Sequence, residues 1–321
     1  MTIAALSSAL YSSEQGWSGL HTLQTDYRST KPFSFLFTTD SQANTEEEFQ
    51  LYGKLLQDAF ARYPDSQFIL HSGDIVEDGA KLEQWDTFKH VLSAYSADKK
   101  FVPMLGNHDV FGDGKYTFRT MFELPKNGPE DETEWVYSFD YGDAHFTVLN
   151  SEDGKEALKK QTEWLKKDLS STKKRWKIVA FHRAAYQSNP TREEDATKRI
   201  IAPILEAAGV DLILTGHDHA YARTFPMKGG AKAGEQEKGT VYLIGGSPGP
   251  KFYPERPYEY FEALYGEDTQ VYTNTRVTSK NIKVEVRNIR GEMIDTFLLG
   301  KKKKHQPEKT KETEAHEKNG E

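Results

Sequence analysis

The stretch Phe68-Ile69-Leu70-His71-Ser72-Gly73-Asp74-Ile75-Val76-Glu77 sets a short apolar run directly before a turn. A buried strand over the run delivers Asp74 to a sheet edge, and Gly73 lets the backbone turn there. A carboxylate has two oxygens and can bridge two hard cations. Metal pairs about 3.5–4 Å apart are the usual hydrolytic clamp on a phosphoryl group. Asp74 is read as such a bridge, against the plainer role of capping the next turn.

The same layout repeats on either side. Upstream, Phe33-Ser34-Phe35-Leu36-Phe37 reads as a strand that ends at Thr38-Thr39-Asp40-Ser41-Gln42. A helix is expected from about Thr45, where Thr45 and Glu48 resemble a capping box. Its Phe49, Tyr52, Leu55, Leu56, Ala59, Phe60 and Tyr63 fall on one apolar stripe, and Pro64 ends it. Downstream, a helix is expected from Lys81 to Tyr95, then a strand from Phe101 to Leu105 that ends at Gly106-Asn107-His108-Asp109. Each strand stops at Asp or Asn just before the chain turns. That is the plan of an α/β sheet, whose ligands bind off the carboxyl ends of its strands.

Further on, Trp135–Tyr141 and Ala144–Leu149 flank Gly142-Asp143 as an antiparallel hairpin. Helices are expected over Lys155–Leu169 and Glu193–Ala208. Strands are expected at Trp176–Phe181, ending at His182-Arg183, at Asp211–Leu214, ending at Gly216-His217-Asp218-His219, and at Thr240–Ile244. The runs Gln270–Thr275, Asn281–Val286 and Met293–Leu298 read as closing strands, and suggest a second sheet facing the first with helices outside. The lysines at 159, 160, 166 and 167 form the outer face of a helix and read as solvated surface.

Composition narrows the chemistry. The 321 residues carry a net charge of −7 and no cysteine. No global basic field invites nucleic acid. Thiolate ligands and disulfides are excluded, so a metal must rest on imidazole, carboxylate and amide oxygen. No apolar run is long enough to span a membrane, and the N-terminus lacks the basic start of a signal peptide. From Lys301 onward the chain is charged and polar and is expected to be disordered.

Of ten histidines, His108, His182, His217 and His219 stand at strand ends. His71 lies on an apolar strand and reads as a satisfied core residue in preference to a metal-centre support. Asp40, Asp74, Asn107, His182, His217 and His219 all follow predicted strands, so one sheet edge can gather them. One metal would take Asp40, Asp74 and His219. The other would take Asp74, Asn107, His182 and His217. His108 is free to hydrogen-bond the phosphoryl oxygens or protonate the leaving alkoxide, with a metal-held hydroxide as the attacking group. Asp109 either orients His108 or caps the next turn.

At these residues the chain resembles the calcineurin-like metallophosphoesterases. Asp40, Gly73-Asp74, Gly106-Asn107-His108-Asp109, His182 and Gly216-His217-Asp218-His219 match that family's motifs in order. It is similar, more narrowly, to the purple acid phosphatase branch, through His182 to Tyr186, Gln161 to Leu165 and His217 to Thr224. The resemblance implies an α+β fold of four αββα layers over residues 32–300. It implies a phosphate ester hydrolase with two divalent cations (Mn, Fe or Zn) and a small-molecule phosphate ester as substrate. A phosphomonoesterase is the leading reading. A phosphodiesterase, or a phosphate- or nucleotide-binding protein without turnover, is the alternative. Tyr11–Thr25 reads as two short strands, which the resemblance recasts as the end of a preceding β-sandwich domain, residues 1–31. On that reading the chain is part of a longer precursor, and its export stays open.

Two positions depart from the branch. Gln42 stands where the family commonly has His, and Glu77 where the purple enzymes have an iron-binding Tyr. A coloured ferric centre is therefore not expected. Gln42 or Glu77 completes the first site by an oxygen, which favours Mn²⁺ or Fe²⁺ over Zn²⁺, or stands behind it. Arg183 and Arg223, each near a ligand, are candidates for the phosphate oxygens. Tyr186 and Tyr221 line the pocket or pack in the core, and Gly245 to Pro250 is a candidate rim.

Overall fold

A computed structural model describes residues 6–8, 21–23, 31–96, 99–193 and 195–300. Its strands are β1 (Leu6–Ser8), β2 (His21–Leu23), β3 (Phe33–Thr38), β4 (Ser66–His71), β5 (Lys100–Pro103), β6 (Tyr137–Tyr141), β7 (Ala144–Val148), β8 (Trp176–Arg183) and β9 (Leu212–Gly216). They continue as β10 (Tyr221–Thr224), β11 (Met227–Lys228), β12 (Ala231–Lys232), β13 (Val241–Gly245), β14 (Phe261–Tyr265), β15 (Val271–Val277), β16 (Asn281–Asn288) and β17 (Met293–Gly300). The helices are α1 (Glu46–Arg62), α2 (Leu82–Ser96), α3 (Gly114–Met121), α4 (Gly154–Ser171), α5 (Ala196–Ile200) and α6 (Ala202–Ala207).

Two sheets carry the fold. One has six strands in the order β17-β16-β15-β3-β4-β5, the other seven in the order β14-β10-β13-β9-β8-β7-β6. Strands β3, β4 and β5 run parallel, as do β7, β8, β9 and β13. The closing strands β15–β17 add antiparallel to β3, so they extend the first sheet and do not build the facing one. The facing sheet comes from the middle of the chain, with β10 and β14 as short strands that carry little periodic signal.

Alternation along the strands sets the layers. In β8, Ile178 and Ala180 belong to the core between the sheets, while Val179 and Phe181 pack with Leu165, Leu169 and Leu205 of the helices. β9 repeats this with Leu212 and Leu214 inward and Ile213 outward. Strands buried on both faces need a layer on each side, and the result is αββα. Between the sheets, Phe35 stacks on Phe68 at 5.1 Å and meets Phe146 edge-on at 5.5 Å. On the first sheet's outer side, α1 buries Phe49, Tyr52, Leu55, Leu56 and Ala59, and the Thr45–Glu48 capping box closes its start.

The helix expected over Glu193–Ala208 is broken at Ile201 into α5 and α6. Pro203 supplies no N–H and fits only a first turn, so a new helix starts there. At the N-terminus, His21–Leu23 pairs with Leu6–Ser8. The rest of the hairpin expected over Tyr11–Thr25, and the tail from Lys301, lie outside the described residues. No helix among the described residues is long and apolar enough to cross a membrane.

One buried charge cluster lies away from the strand ends. His145 bonds Asp140 through Nδ1 at 2.7 Å and Asp168 through Nε2 at 2.9 Å. Burial works against the imidazolium, but the two carboxylates overcome it and push the His145 pKa up to about 9. A raised folded-state pKa contributes stability that is full below the unfolded value near 6.5 and is lost as pH rises through about 9. The contribution is at most about 3 kcal/mol. His145→Gln is therefore expected to lower Tm most below pH 6, with the gap to wild type closing by pH 10 in thermal unfolding scans.

Candidate metal centre

The loops that leave β3, β4, β5, β8 and β9 meet at one place. Ser72 N donates to Thr38 O, Asp40 N to Gly73 O and Gln42 N to Asp74 O, lacing the first two loops together. Gly106 lies against Asp74 so closely that a Cβ there would overlap the Asp74 amide and carboxylate. A Cβ at Gly216 would overlap Thr39 and Asp40. The glycines of these motifs are thus needed for backbone approach.

Among the described residues, five non-glycine residues have positive φ, and four of them are Asp40 (55°), Asp74 (52°), His217 (76°) and His219 (56°). Each such backbone costs about 1–3 kcal/mol and persists only where the surroundings enforce it. Here the amide of His217 donates to Asp40 Oδ2 at 2.9 Å, and the amide of His108 donates to Asp74 Oδ1 at 2.8 Å.

Two donor groups converge. Asp74, His182 and His217 form one, and Asp40, Asp74 and His219 the other, all buried. His182 Nδ1 bonds Ser72 O at 2.8 Å, and a carbonyl only accepts, so Nδ1 carries the proton. Its Nε2 faces Asp74 Oδ2 at 3.2 Å, Asn107 Oδ1 at 3.2 Å and His217 Nδ1 at 3.1 Å. His219 Nδ1 bonds Lys251 O at 2.9 Å, which turns its Nε2 to Asp40 Oδ1 at 3.3 Å. The oxygens of Asp40, Asp74 and Asn107 thus meet the lone pairs of His182 and His219 out of water, an arrangement that calls for cations. The same crowding of acceptors favours positive charge at His182. Burial disfavours charge on both members of the central pair. Even so, the carboxylates of Asp74, Asp40 and Glu152 push His182 up to about 10, and His182 holds Asp74 below the usual carboxylate range.

Gln42 joins the first group. Its amide orientation follows from its hydrogen bonds: NH₂ donates to Asp40 O at 3.1 Å and Asp74 O at 3.2 Å, which only accept. The amide oxygen then lies 3.3 Å from His219 Nε2 and 3.4 Å from Asp74 Oδ2. The second candidate, Glu77, does not join. Its carboxylate pairs with Lys251 and lies 3.6 Å from His108 Nδ1.

His108 is at the centre's edge, with Nδ1 on Glu77 O at 2.7 Å and its ring 5.0 Å from Phe111. Asp109 does not orient it. The Asp109 carboxylate accepts from the amides of Ile75 (2.9 Å), Val76 (3.2 Å) and Gly106 (2.9 Å), tying two loops together from beneath. Burial and the nearby Asp74 charge raise its pKa well above the usual value. His71 packs against Tyr52 and Phe101 and bonds Ser41, as a core residue does.

Arg183 reaches the centre, with Nη1 3.3 Å from His217 Nε2 and Nε on the buried Glu152 at 2.8 Å. Arg223 does not. Its guanidinium is held by Asp295 and Glu262 and lies over Phe297, joining the edges of the two sheets. Tyr221 gives its hydroxyl to the same Asp295, and Tyr186 bonds Glu206, so both pack in the body. In the candidate rim, Ser247 Oγ donates to Asp40 O at 2.9 Å. Sequence reasoning missed Glu152, Asp218 as a carboxylate anchor, Arg192, Lys251 and Tyr253. Arg192 sits on His217, and Tyr253 lies 4.3 Å from the His219 ring.

A model of the calcineurin-like phosphoesterase family matches residues 33–221. Purple acid phosphatase 18 of Arabidopsis thaliana is 29% identical over 168 residues, covering 49% of this chain and 38% of that protein. Acid phosphatase type 7 of Mus musculus is 27% identical over 218 residues, covering 56% of this chain and 48% of that protein. This chain therefore spans less than half the length of either relative. Among solved structures, the purple acid phosphatase PPD1 of yellow lupin (Lupinus luteus) superimposes with a TM-score of 0.75 at 19% identity, over 88% of this chain and 57% of that one.

Proposed function

The chain belongs to the calcineurin-like phosphoesterase family, and from that premise we propose that it hydrolyses phosphate monoesters at a centre of two divalent cations. Residues 32–300 form the catalytic unit. Asp74, common to both donor groups, would serve both cations. Asp40, His219 and the amide oxygen of Gln42 would hold the first, and Asn107, His182 and His217 the second. The supporting observation is the buried meeting of carboxylate, amide and imidazole acceptors around Asp74 and His182. Three oxygens and one nitrogen at the first position suit Mn²⁺ or Fe²⁺; two of each at the second also suit Zn²⁺.

Cations bound there supply Lewis acidity to the phosphoryl group and make water nucleophilic near neutral pH. This chain's residues do the rest. Arg183 donates to a phosphoryl oxygen while Glu152 fixes its direction. His108, anchored through Nδ1, presents Nε2 for the leaving oxygen. Tyr253 lies beside the His219 ring and Phe111 beside that of His108.

Chelator-stripped protein is expected to hydrolyse no aryl phosphate. Mn²⁺ or Fe²⁺, added to two ions per chain, is expected to restore monoester hydrolysis well above diester hydrolysis. Two bound ions without cleavage of any ester would overturn the reading.

A further inference from the structure

Beside the acceptor cluster lies a second construction, built from two arginines on different loops. Arg183 Nη1 stands 3.3 Å from His217 Nε2, and Arg192 Nη1 contacts the same nitrogen while its Nη2 donates to His217 O at 2.7 Å. Two guanidinium groups drawn to one point repel each other. Each is backed by a carboxylate whose side chain is fully buried, Glu152 behind Arg183 and Asp218 behind Arg192. Neither carboxylate can turn to water, so the arginines are fixed in direction.

Asp218 does more than balance charge. Its Oδ2 accepts from Ser188 N at 2.6 Å, Asn189 N at 3.2 Å and Ser188 Oγ at 3.2 Å. Asn189 Oδ1 in turn accepts from Thr191 N at 3.0 Å. The chain between β8 and α5 is thereby turned so that Arg192 comes back over the centre, 5.5 Å from the Tyr253 ring. The Arg192 side chain keeps 22% exposure, enough to meet a ligand entering from solvent.

We propose that Arg192 and Arg183 form a clamp for the third non-esterified oxygen of a phosphate monoester, that Arg192 thereby selects monoesters over diesters, and that Asp218 is its positioning residue. This rests on the phosphoesterase reading. A monoester dianion has three non-esterified oxygens and a diester anion two. With two oxygens turned to the carboxylate-imidazole cluster, only a monoester leaves one for the arginines. A guanidinium meets a phosphate oxygen with paired, charged donors, and five N–H groups leave it enough after its protein contacts.

Inorganic phosphate binding to the Mn²⁺-loaded protein, read by calorimetry beside monoester and diester kcat/KM, tests the clamp. Arg192→Ala is expected to keep two ions per chain and to weaken phosphate by about 10–100-fold, the value of a charged hydrogen bond. The monoester-to-diester ratio is expected to fall by a similar factor, and Arg192→Lys to recover part of both. Asp218→Asn is expected to weaken phosphate too, with the double variant no worse than Arg192→Ala alone. Wild-type phosphate affinity in Arg192→Ala, or equal losses on both esters, would overturn the clamp. Should Arg192→Ala lose its metals, an unaltered ester ratio in Arg192→Lys overturns it instead. Additive effects in the double variant would remove Asp218 from the proposal. If wild type cleaves no ester while Arg192→Ala still weakens phosphate, the clamp stands and the phosphoesterase reading falls.

Discussion

Asp74→Asn is expected to lower the affinity for each of two cations by about 10²–10⁴-fold, since breaking a buried charge pair costs about 3–5 kcal/mol. Asp74 is common to both donor groups, so both ions are affected together. The fold is expected to survive. Asparagine keeps an oxygen to accept the His108 amide, which donates to Asp74 Oδ1 in the native chain. The buried surroundings keep their shape, because the two residues are nearly isosteric. Metal analysis after gel filtration is the direct measurement, with phosphatase activity as the second. Loss of one ion with retention of the other would show that Asp74 is a terminal ligand. Retention of both would remove it from the centre.

The residues that converge on Asp74 were legible because each is announced locally. A β-rich apolar run, a turn and an Asp, Asn or His recur in sequence, and the glycines beside Asp74, Asn107 and His217 mark where loops touch. What the residues beside the ligands do was not legible. Asp109 sits next to His108 in sequence, yet its carboxylate serves amides 33 and 34 positions back. Arg223 follows His219 by four residues, but β10 carries it away to Asp295 on the opposite sheet. Arg192 sits in a polar loop with no periodic signal, and its place over His217 beside the buried Asp218 is a tertiary contact. The Asp218 carboxylate between His217 and His219 was the available hint, since so buried a charge requires partners. The layer plan was suggested by the number of strands and implied by the family resemblance. The sheet to which β15–β17 belong was not, because alternation shows which face is buried and not which neighbour is paired.

His108→Asn is expected to lower monoester kcat by about 10²–10⁴-fold, the usual share of a general acid, while both metals stay bound. The separation follows from geometry. His108 belongs to neither donor group, and its backbone amide, which any residue supplies, is the part that bonds Asp74. Its ring is held from outside the centre. Nδ1 bonds Glu77 O at 2.7 Å, so that nitrogen carries a proton and Nε2 is the one that gains and loses it. Phe111 packs on the ring at 5.0 Å and limits its rotation. An acid placed this way assists the departure of a poor leaving group most. The loss is therefore expected to be largest for alkyl phosphates and small for aryl phosphates with acidic phenols, which leave without a proton. A uniform loss over that series would instead place His108 on the phosphoryl oxygens. A loss of metals in His108→Asn would move it into the ligand set.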